Sequence, residues 1–211
     1  MKTYENFLKK LFNKEPKVEI EYYDNGQKKS ELWYLNDKHH REDGPSYQSW
    51  YENGQKEHEG WHLNGKYHRK DGPSCQWWHE NGQKEHEGWW LNGKSHREDG
   101  PAYQVWNKDG QKKSEKWILN DKQHREDGPS YQSWYENDQK KYEVWYLNDK
   151  QHREDGPAYQ EWSENGQKMF EEWCLNDKFY SREEWVNELK KIGSPYYEEQ
   201  KMLLNVKKYN L

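Results

Sequence analysis

The sequence is poor in what a layered globular core is made from. Of its 211 residues, 30% are hydrophobic, with only four Phe and three Met. No apolar run reaches the length of a membrane span, and no signal-peptide pattern opens the chain. Cysteine is nearly absent. Cys75 and Cys174 fall about seven strands apart in the repeat described below, or roughly 33 Å at ordinary strand spacing, too far to bridge. A reduced, cytoplasmic protein is the expectation. A basic excess is missing as well: 34 Lys and Arg stand against 39 Asp and Glu, for a net charge of −5. That argues against a nucleic-acid partner, which needs a basic face.

Low apolar content with 35% charged residues would suggest disorder. The 14 Trp and 17 Tyr say otherwise, because they are spaced regularly. Trp33, Trp61, Trp89, Trp117, Trp145 and Trp173 recur at one constant step, each 28 apart. Gly44-Pro45, Gly72-Pro73, Gly100-Pro101, Gly128-Pro129 and Gly156-Pro157 keep the same step. A fixed period over most of a chain means stacked copies of one structural unit.

Each unit reads as two strands, one on the leading Trp (31–35 in the first copy) and one over 47–52. Asn53-Gly54, Asn81-Gly82, Asp109-Gly110 and Asn165-Gly166 carry the residues of a two-residue type I′ hairpin turn, and Asn137-Asp138 is a weaker form. The other connection, Asn-(Gly/Asp)-Lys-x-His-Arg-x-Asp-Gly-Pro, is longer. Twelve strands with short turns make an antiparallel meander. With a two-residue turn, Trp50 faces Glu57, Gln48 faces Glu59 and Ser46 faces Trp61; a bulge would shift this register by one. The small residues Ser46, Ser74, Ala102, Ser130 and Ala158 then make room for an indole on a nearly constant face. Aromatic stacking on that face is expected to supply most of the stability.

The opposite face varies. One position reads Tyr34, His62, Trp90, Ile118, Tyr146, Cys174, and another Ser30, His58, His86, Ser114, Tyr142, Phe170. Drift on a solvated surface is one account; display to a partner is the other. The richest patch is His58, His62, Trp77, His79, His86 and Trp90, with Trp77 opposite His86. Gly60 and Gly88 would flatten it for a partner's approach.

The ends depart from the repeat. Tyr4, Phe7, Leu8, Leu11 and Phe12 have helical spacing, giving an N-terminal helical cap over 1–16. The repeats then cover 17–178, and a C-terminal helical cap covers 179–211. Ser181 and Glu184 have capping-box spacing before Trp185, Val186, Leu189 and Ile192. Gly193 closes that helix, and Pro195 precedes a second one carrying Met202, Leu203 and Val206. The fold expected is therefore an all-β repeat array, an extended twisted antiparallel β-meander with short α-helical caps at both ends.

Trp61 followed by Asn64-Gly65-Lys66-x-His68, with Tyr/Trp-x-Glu-Asn-Gly-Gln before the next strand, resembles the MORN repeat. It is most similar to the antitoxin-like MORN variants of bacteria, phages and large DNA viruses. The resemblance covers 18–178 and implies a stack of β-hairpins that binds protein or lipid and has no catalytic activity. The units depart from it at His68-Arg69-Lys70-Asp71-Gly72-Pro73, where MORN units continue His-Gly-x-Gly. Lipid is disfavoured by the acidic balance.

Chemistry is sparse. Equivalent histidines two strands apart lie about 9.5 Å from each other, too far to share a zinc ion. No phosphate loop, nucleophile elbow or carboxylate pair is assembled, so no enzyme, cofactor or metal is expected. Arg69 and Asp71, with their copies, read as ion pairs pinning the long turn. Alternatively His68, Arg69, His96, Arg97, His124 and Arg125 form a rail for small anions or nucleotides. Two functions follow: a protein-binding module using the variable face, such as one that neutralises a toxin or host protein, or a sequestering binder using the His-Arg turns.

Overall fold

The computed structural model describes residues 15–209. They are mostly β, in an antiparallel meander, with two helices at the C-terminal end. The helix expected over 1–16 lies outside the described residues but for its last two. The chain divides into two compact units, one running to His96 and including Val105–Gly110, the other made of Arg97–Gln104 and the chain from Gln111 onward.

The first unit contains β1 (Lys17–Tyr22), β2 (Lys28–Leu35), β3 (Lys38–His39), β4 (Tyr47–Trp50), β5 (Lys56–Gly60), β6 (His62–Leu63), β7 (Lys66–Tyr67), β8 (Cys75–Trp78), β9 (Lys84–Gly88), β10 (Trp90–Leu91) and β11 (Lys94–Ser95). Its main sheet runs β1-β2-β4-β5-β8-β9. β12 (Tyr103–Trp106) follows. The second unit adds β13 (Lys112–Lys116), β14 (Ile118–Leu119), β15 (Lys122–Gln123), β16 (Tyr131–Trp134), β17 (Lys140–Val144), β18 (Tyr146–Leu147), β19 (Lys150–Gln151), β20 (Tyr159–Trp162), β21 (Lys168–Leu175) and β22 (Lys178–Tyr180), then α1 (Arg182–Ile192) and α2 (Tyr197–Tyr209). There the order is β13-β16-β17-β20-β21-β22.

Among the described residues, twenty-two strands replace the expected twelve because the long connection is itself a hairpin. The type I′ turns sit there, not at Asn53-Gly54. Asn36 and Asp37 have φ of 53° and 58°, Asn64 and Gly65 have 53° and 79°, and Asn148 and Asp149 repeat the pattern. Each such pair joins directly opposed residues, as in Tyr34↔His39 and Leu35↔Lys38. At Asn53-Gly54 only the glycine has positive φ, +83°. Gly54 N donates to the Tyr51 carbonyl and Tyr51 N to the Gln55 carbonyl. This is a three-residue loop closed by a glycine bulge. A second bulge then sets Trp50 opposite Lys56 in place of Glu57, while Gln48↔Glu59 and Ser49↔His58 hold as expected.

The constant face is not an aromatic stack. In the first unit Glu59, 9% exposed, accepts from the Lys56 ammonium (2.6 Å), the Trp61 indole N–H (2.9 Å) and Gln48 (3.2 Å). Lys56 lies over the Trp78 ring and Arg69 over Trp61, 4.1 Å from its centroid. Burial pushes the Glu59 carboxyl up, but the hydrogen bonds from Lys56 and Trp61, with the charges of Lys56 and Arg69, leave it below the ordinary value. In the second unit Glu143 holds Lys140 and Trp145 in the same way. Indole, cation and carboxylate alternate, so this face rests on charge-assisted bonds and cation–π contacts.

The small residues also have a different task. Ser46, Ser74 and Ser130 are fully buried. The Ser74 hydroxyl donates to the Gly88 carbonyl and accepts from Trp90 N, and Ser130 does the same at Val144 and Tyr146. They strap the bend where the chain leaves one strand at the leading Trp. Ala102 and Ala158 keep the space without the strap.

At the C-terminal end, Ser181 and Glu184 form the expected capping box, and Gly193 closes α1 at φ 69°. Trp173, Leu175, Trp185, Val186 and Leu189 make the hydrophobic cluster of the second unit. Ile192, Met202, Leu203 and Val206 do not join it. They are 40–60% exposed.

Candidate functional site

Rings meet along the variable face in both units, in the second as Tyr131–Tyr142–Tyr159–Phe170 with centroids 5.3–6.2 Å apart, and most closely in the first. Directly opposed residues project to the same side of a sheet, and the register gives His58↔Trp77 and Trp77↔His86. The Trp77 indole is sandwiched between the two imidazoles, with centroids 4.1 Å and 4.0 Å away and planes 13° and 21° from parallel. Tyr47 continues the row beyond His58, at 4.9 Å. A second row runs along the small hairpins: Tyr34–His39 at 4.8 Å, His39–His62 at 5.3 Å, His62–Tyr67 at 4.1 Å and Tyr67–Trp90 at 5.5 Å. His39 against Tyr47, at 6.3 Å, joins the rows.

Five of the six residues expected in the patch are thus in one continuous ring pavement. His79 stands apart at the hairpin end, its N–H on the Gln83 carbonyl. Its equivalents Tyr23 and Tyr51 use the ring to cover the next hairpin, each hydroxyl donating to a Trp carbonyl 27 residues on. Tyr34, His39, Tyr47 and Tyr67 complete the pavement; the sequence places Tyr34 on the variable face but outside the expected patch, and the other three were not among its candidates. Their signal was the same period: His39 and Tyr67 are 28 apart, at a position first assigned to loop.

Gly60 and Gly88 do not open the backbone to a partner. Both are buried, because rings of the chain itself lie across them. A Cβ on Gly88 would stand 1.7 Å from Trp90 Cζ3, and one on Gly60 2.9 Å from His62 Cε1. The glycines seat the rings.

Packing among rings keeps the imidazoles neutral. Burial draws His58 down to about 4, helped by the charges of His62 and His86. Burial and the His39 charge draw His62 to about 4 as well. His39 and His86 are lowered, chiefly by burial. Near pH 7 these imidazoles are therefore uncharged, with a buried, unbonded ring nitrogen on each of His39 and His58.

The His-Arg turns are occupied by the fold. His40, His68, His124 and His152 each use Nδ1 to accept the backbone N–H of the Asn that opens the next unit's type I′ turn, 24 residues on. His96 N donates to the Trp89 carbonyl. Arg41, Arg97, Arg125 and Arg153 bond the Asp two residues later at 2.7–2.9 Å; Arg69 and Asp71 stand 3.5 Å apart. All five also reach the carbonyl of the Pro four residues later. A Cβ on Gly72 would meet Arg69 Cζ at 2.7 Å, and one on Gly128 would meet Arg125 Cζ at 2.6 Å. That close approach explains the glycine of each Gly-Pro pair. The arrangement binds the turn to the sheet and leaves few donors facing out.

Cys75 and Cys174 are free and buried, and burial raises their thiols to about 12 and about 11. Among the described residues, no group of three or more His, Cys, Asp or Glu is placed to hold a metal ion, and no helix is long and apolar enough to cross a membrane. No protein-family model matches the chain, and no curated protein matches it.

Proposed function

We propose that the protein is a non-enzymatic binding protein that meets a protein partner through the ring pavement of its first unit. The observation that carries this reading is the Trp77 sandwich with the Trp90 platform beside it. Rings locked by stacking lose little conformational freedom on binding, and a flat surface without a deep pocket needs large rigid side chains to gain affinity. Trp and Tyr are the usual hot-spot residues of such surfaces. The MORN-like units of the sequence favour the same class, and neutralising a toxin or host protein in the cytoplasm would be one form of it. The alternative, anion sequestration by His68, Arg69, His96, Arg97, His124 and Arg125, finds less support, since those side chains are largely spent within the fold.

The test is affinity capture with quantitative mass spectrometry. Trp77→Val and Trp90→Ile install the residues found at the equivalent positions Val105 and Ile118, and should abolish capture of any specific partner. Arg69→Gln with Arg97→Gln should leave capture intact, and thermal melts of both proteins control for unfolding. Capture that needs the arginines and ignores the tryptophans would overturn the assignment. So would release of a stoichiometric small anion from the purified protein.

A further inference from the structure

In units that have a successor, one arginine couples the leading Trp to the strand that comes next. Arg69 lies over Trp61 and bonds the Pro73 carbonyl, two residues before β8, and β8 pairs with β5, the strand that leads into Trp61. Arg41 does this at Trp33 for β4, Arg125 at Trp117 for β16, and Arg153 at Trp145 for β20. The last of the leading Trp residues, Trp173, also has a guanidinium over it, at 5.2 Å, but Arg182 of α1 supplies it. No Gly-Pro follows it in the sequence, and Arg182 Nε is buried without a hydrogen-bond partner.

The space beside Arg182 has the corresponding shape. An opening of about 640 Å³ is lined by Lys168, Met169, Phe170, Trp173, Arg182 and Leu203, among others. The stretch of β21 that borders it, 168–172, pairs with β20 on one side, whereas β22 takes only Trp173–Leu175 on the other. Asn25, Asn53, Asn81 and Asn137 each donate Nδ2 to a carbonyl 27 residues ahead. Asn165, next in that series, accepts on Oδ1 within its own turn as the others do, but the residue 27 ahead of it, Ile192, lies in α1 and not in a further hairpin. The end of the second unit is a half-built interface for one more strand.

The chain also carries a strand of the right kind. In the repeat frame β1 stands where β4 and β8 stand: Tyr22 aligns with Trp50 and Trp78, and Ile20 with Gln48 and Gln76. Among the described residues β1 pairs with β2 alone, and Val18, Ile20 and Tyr22 are 40–59% exposed. We propose that the open edge of β21 receives β1 of a second copy of this chain, antiparallel and in the register used inside each unit. Glu21 of the second copy then lies opposite Phe170, as Trp77 lies opposite His58, and Ile20 lies opposite Glu171, as Gln76 lies opposite Glu59. The carbonyl of Lys17 meets Arg182 as that of Pro73 meets Arg69. Tyr22 takes the place beside Lys168 that Trp78 takes beside Lys56. Glu19 falls opposite Glu172, and like charges so placed weaken the contact. The association is therefore weak and strengthens with salt, which screens that pair. Each copy offers one edge of each kind, so the contact is heterologous and can propagate.

Cysteine pairing tests the register. Glu21→Cys and Phe170→Cys proteins, mixed under mild oxidation, should give a covalent heterodimer several-fold in excess of either homodimer, while Val18→Cys with Phe170→Cys should not. The native cysteines are buried and stay silent. Sedimentation velocity on the unmodified chain should show concentration-dependent growth at hundreds of micromolar. Arg182→Ala and Tyr22→Ala should each weaken it about tenfold; Tyr22 is exposed, so its loss should not perturb folding. A monomer at every concentration, cross-links without register preference, or association indifferent to both substitutions would overturn the proposal. Binding of a peptide spanning 73–78 by a chain that stays monomeric would overturn it too, in favour of a foreign strand.

Discussion

Gly88 and Trp90 offer a sharp test of how the ring pavement is held. Gly88 has no positive φ, so a side chain there meets no backbone penalty. A β-branched residue in a strand would by itself gain up to about 1 kcal/mol. What forbids it is the indole, since a Cβ would stand 1.7 Å from Cζ3 and 2.2 Å from Cη2 of Trp90. Gly88→Val must lift the ring off the strand and away from Tyr67. Re-exposing about 100 Å², roughly half of what an indole buries, costs about 2.5 kcal/mol. The net loss should be about 2 kcal/mol once the strand preference is set against that cost. The fifth unit shows the remedy, because Val144 and Tyr146 occupy the two equivalent positions. Gly88→Val with Trp90→Tyr should therefore return to within about 1 kcal/mol of the parent, a coupling of about 2 kcal/mol in a double-mutant cycle. Urea unfolding followed by circular dichroism measures all four proteins. If the two single changes add to within about 0.5 kcal/mol, as independent sites do, the claim that the glycine exists to seat the ring is refuted.

Acid should loosen the first unit before its carboxylates titrate. His58 and His62 have folded pKa values near 4, below the unfolded 6.5, so the unfolded chain binds more protons between those values. Stability is full above about pH 6.5 and falls toward pH 4, by on the order of 2 kcal/mol per histidine once solvent screening is allowed for; a His58→Gln, His62→Gln protein should lose that slope, and an unchanged slope would contradict it. Ser74→Ala removes the strap at Gly88 and Trp90 and should cost about 1 kcal/mol, whereas Ala102→Ser should be neutral or stabilising, both read from denaturant midpoints. Deleting one whole repeat, 89–116, joins equivalent positions and should preserve a cooperative melt, while deleting half a repeat, 89–102, should not; equal damage would refute the linear-stack reading.

The repeat period, the meander and the start of α1 were legible because each rests on local chemistry: Gly-Pro spacing, strand alternation, and a Ser-x-x-Glu box. Trp77 opposite His86 was legible for the same reason, since bulges near the turn leave the strand centre in register. The turn types were not. Asn-Gly suits both a type I′ turn and a glycine bulge, and only the count of residues between opposed strands tells Asn53-Gly54 from Asn64-Gly65. The structural contact made by the histidines of the His-Arg turns was not legible, for another reason. His68 meets Asn92 across 24 residues, a contact between successive units that no pattern within one unit reveals. The indoles of the constant face were read as an aromatic stack because a one-dimensional pattern shows Trp recurring, not the Lys and Arg that fold over it from neighbouring hairpins.

Most of those reaches between successive copies point forward along the chain; Asp149 and Asp177 reach back, to Gln123 N and Gln151 N. The Tyr51 hydroxyl and the Asn53 amide donate forward by 27 residues, and the His68 imidazole accepts from 24 residues ahead. A unit is thus completed by its successor more than by its predecessor. At the C-terminal end the copy holding Arg153 has its successor too, with Asn176 N on His152, and Trp185 and Gln200 of the helices add donors to the carbonyls of Arg153 and Asp155. During synthesis, when the amino-terminal end emerges first, every unit waits for the following one before its turns can lock. Ordering follows the ribosome one repeat behind.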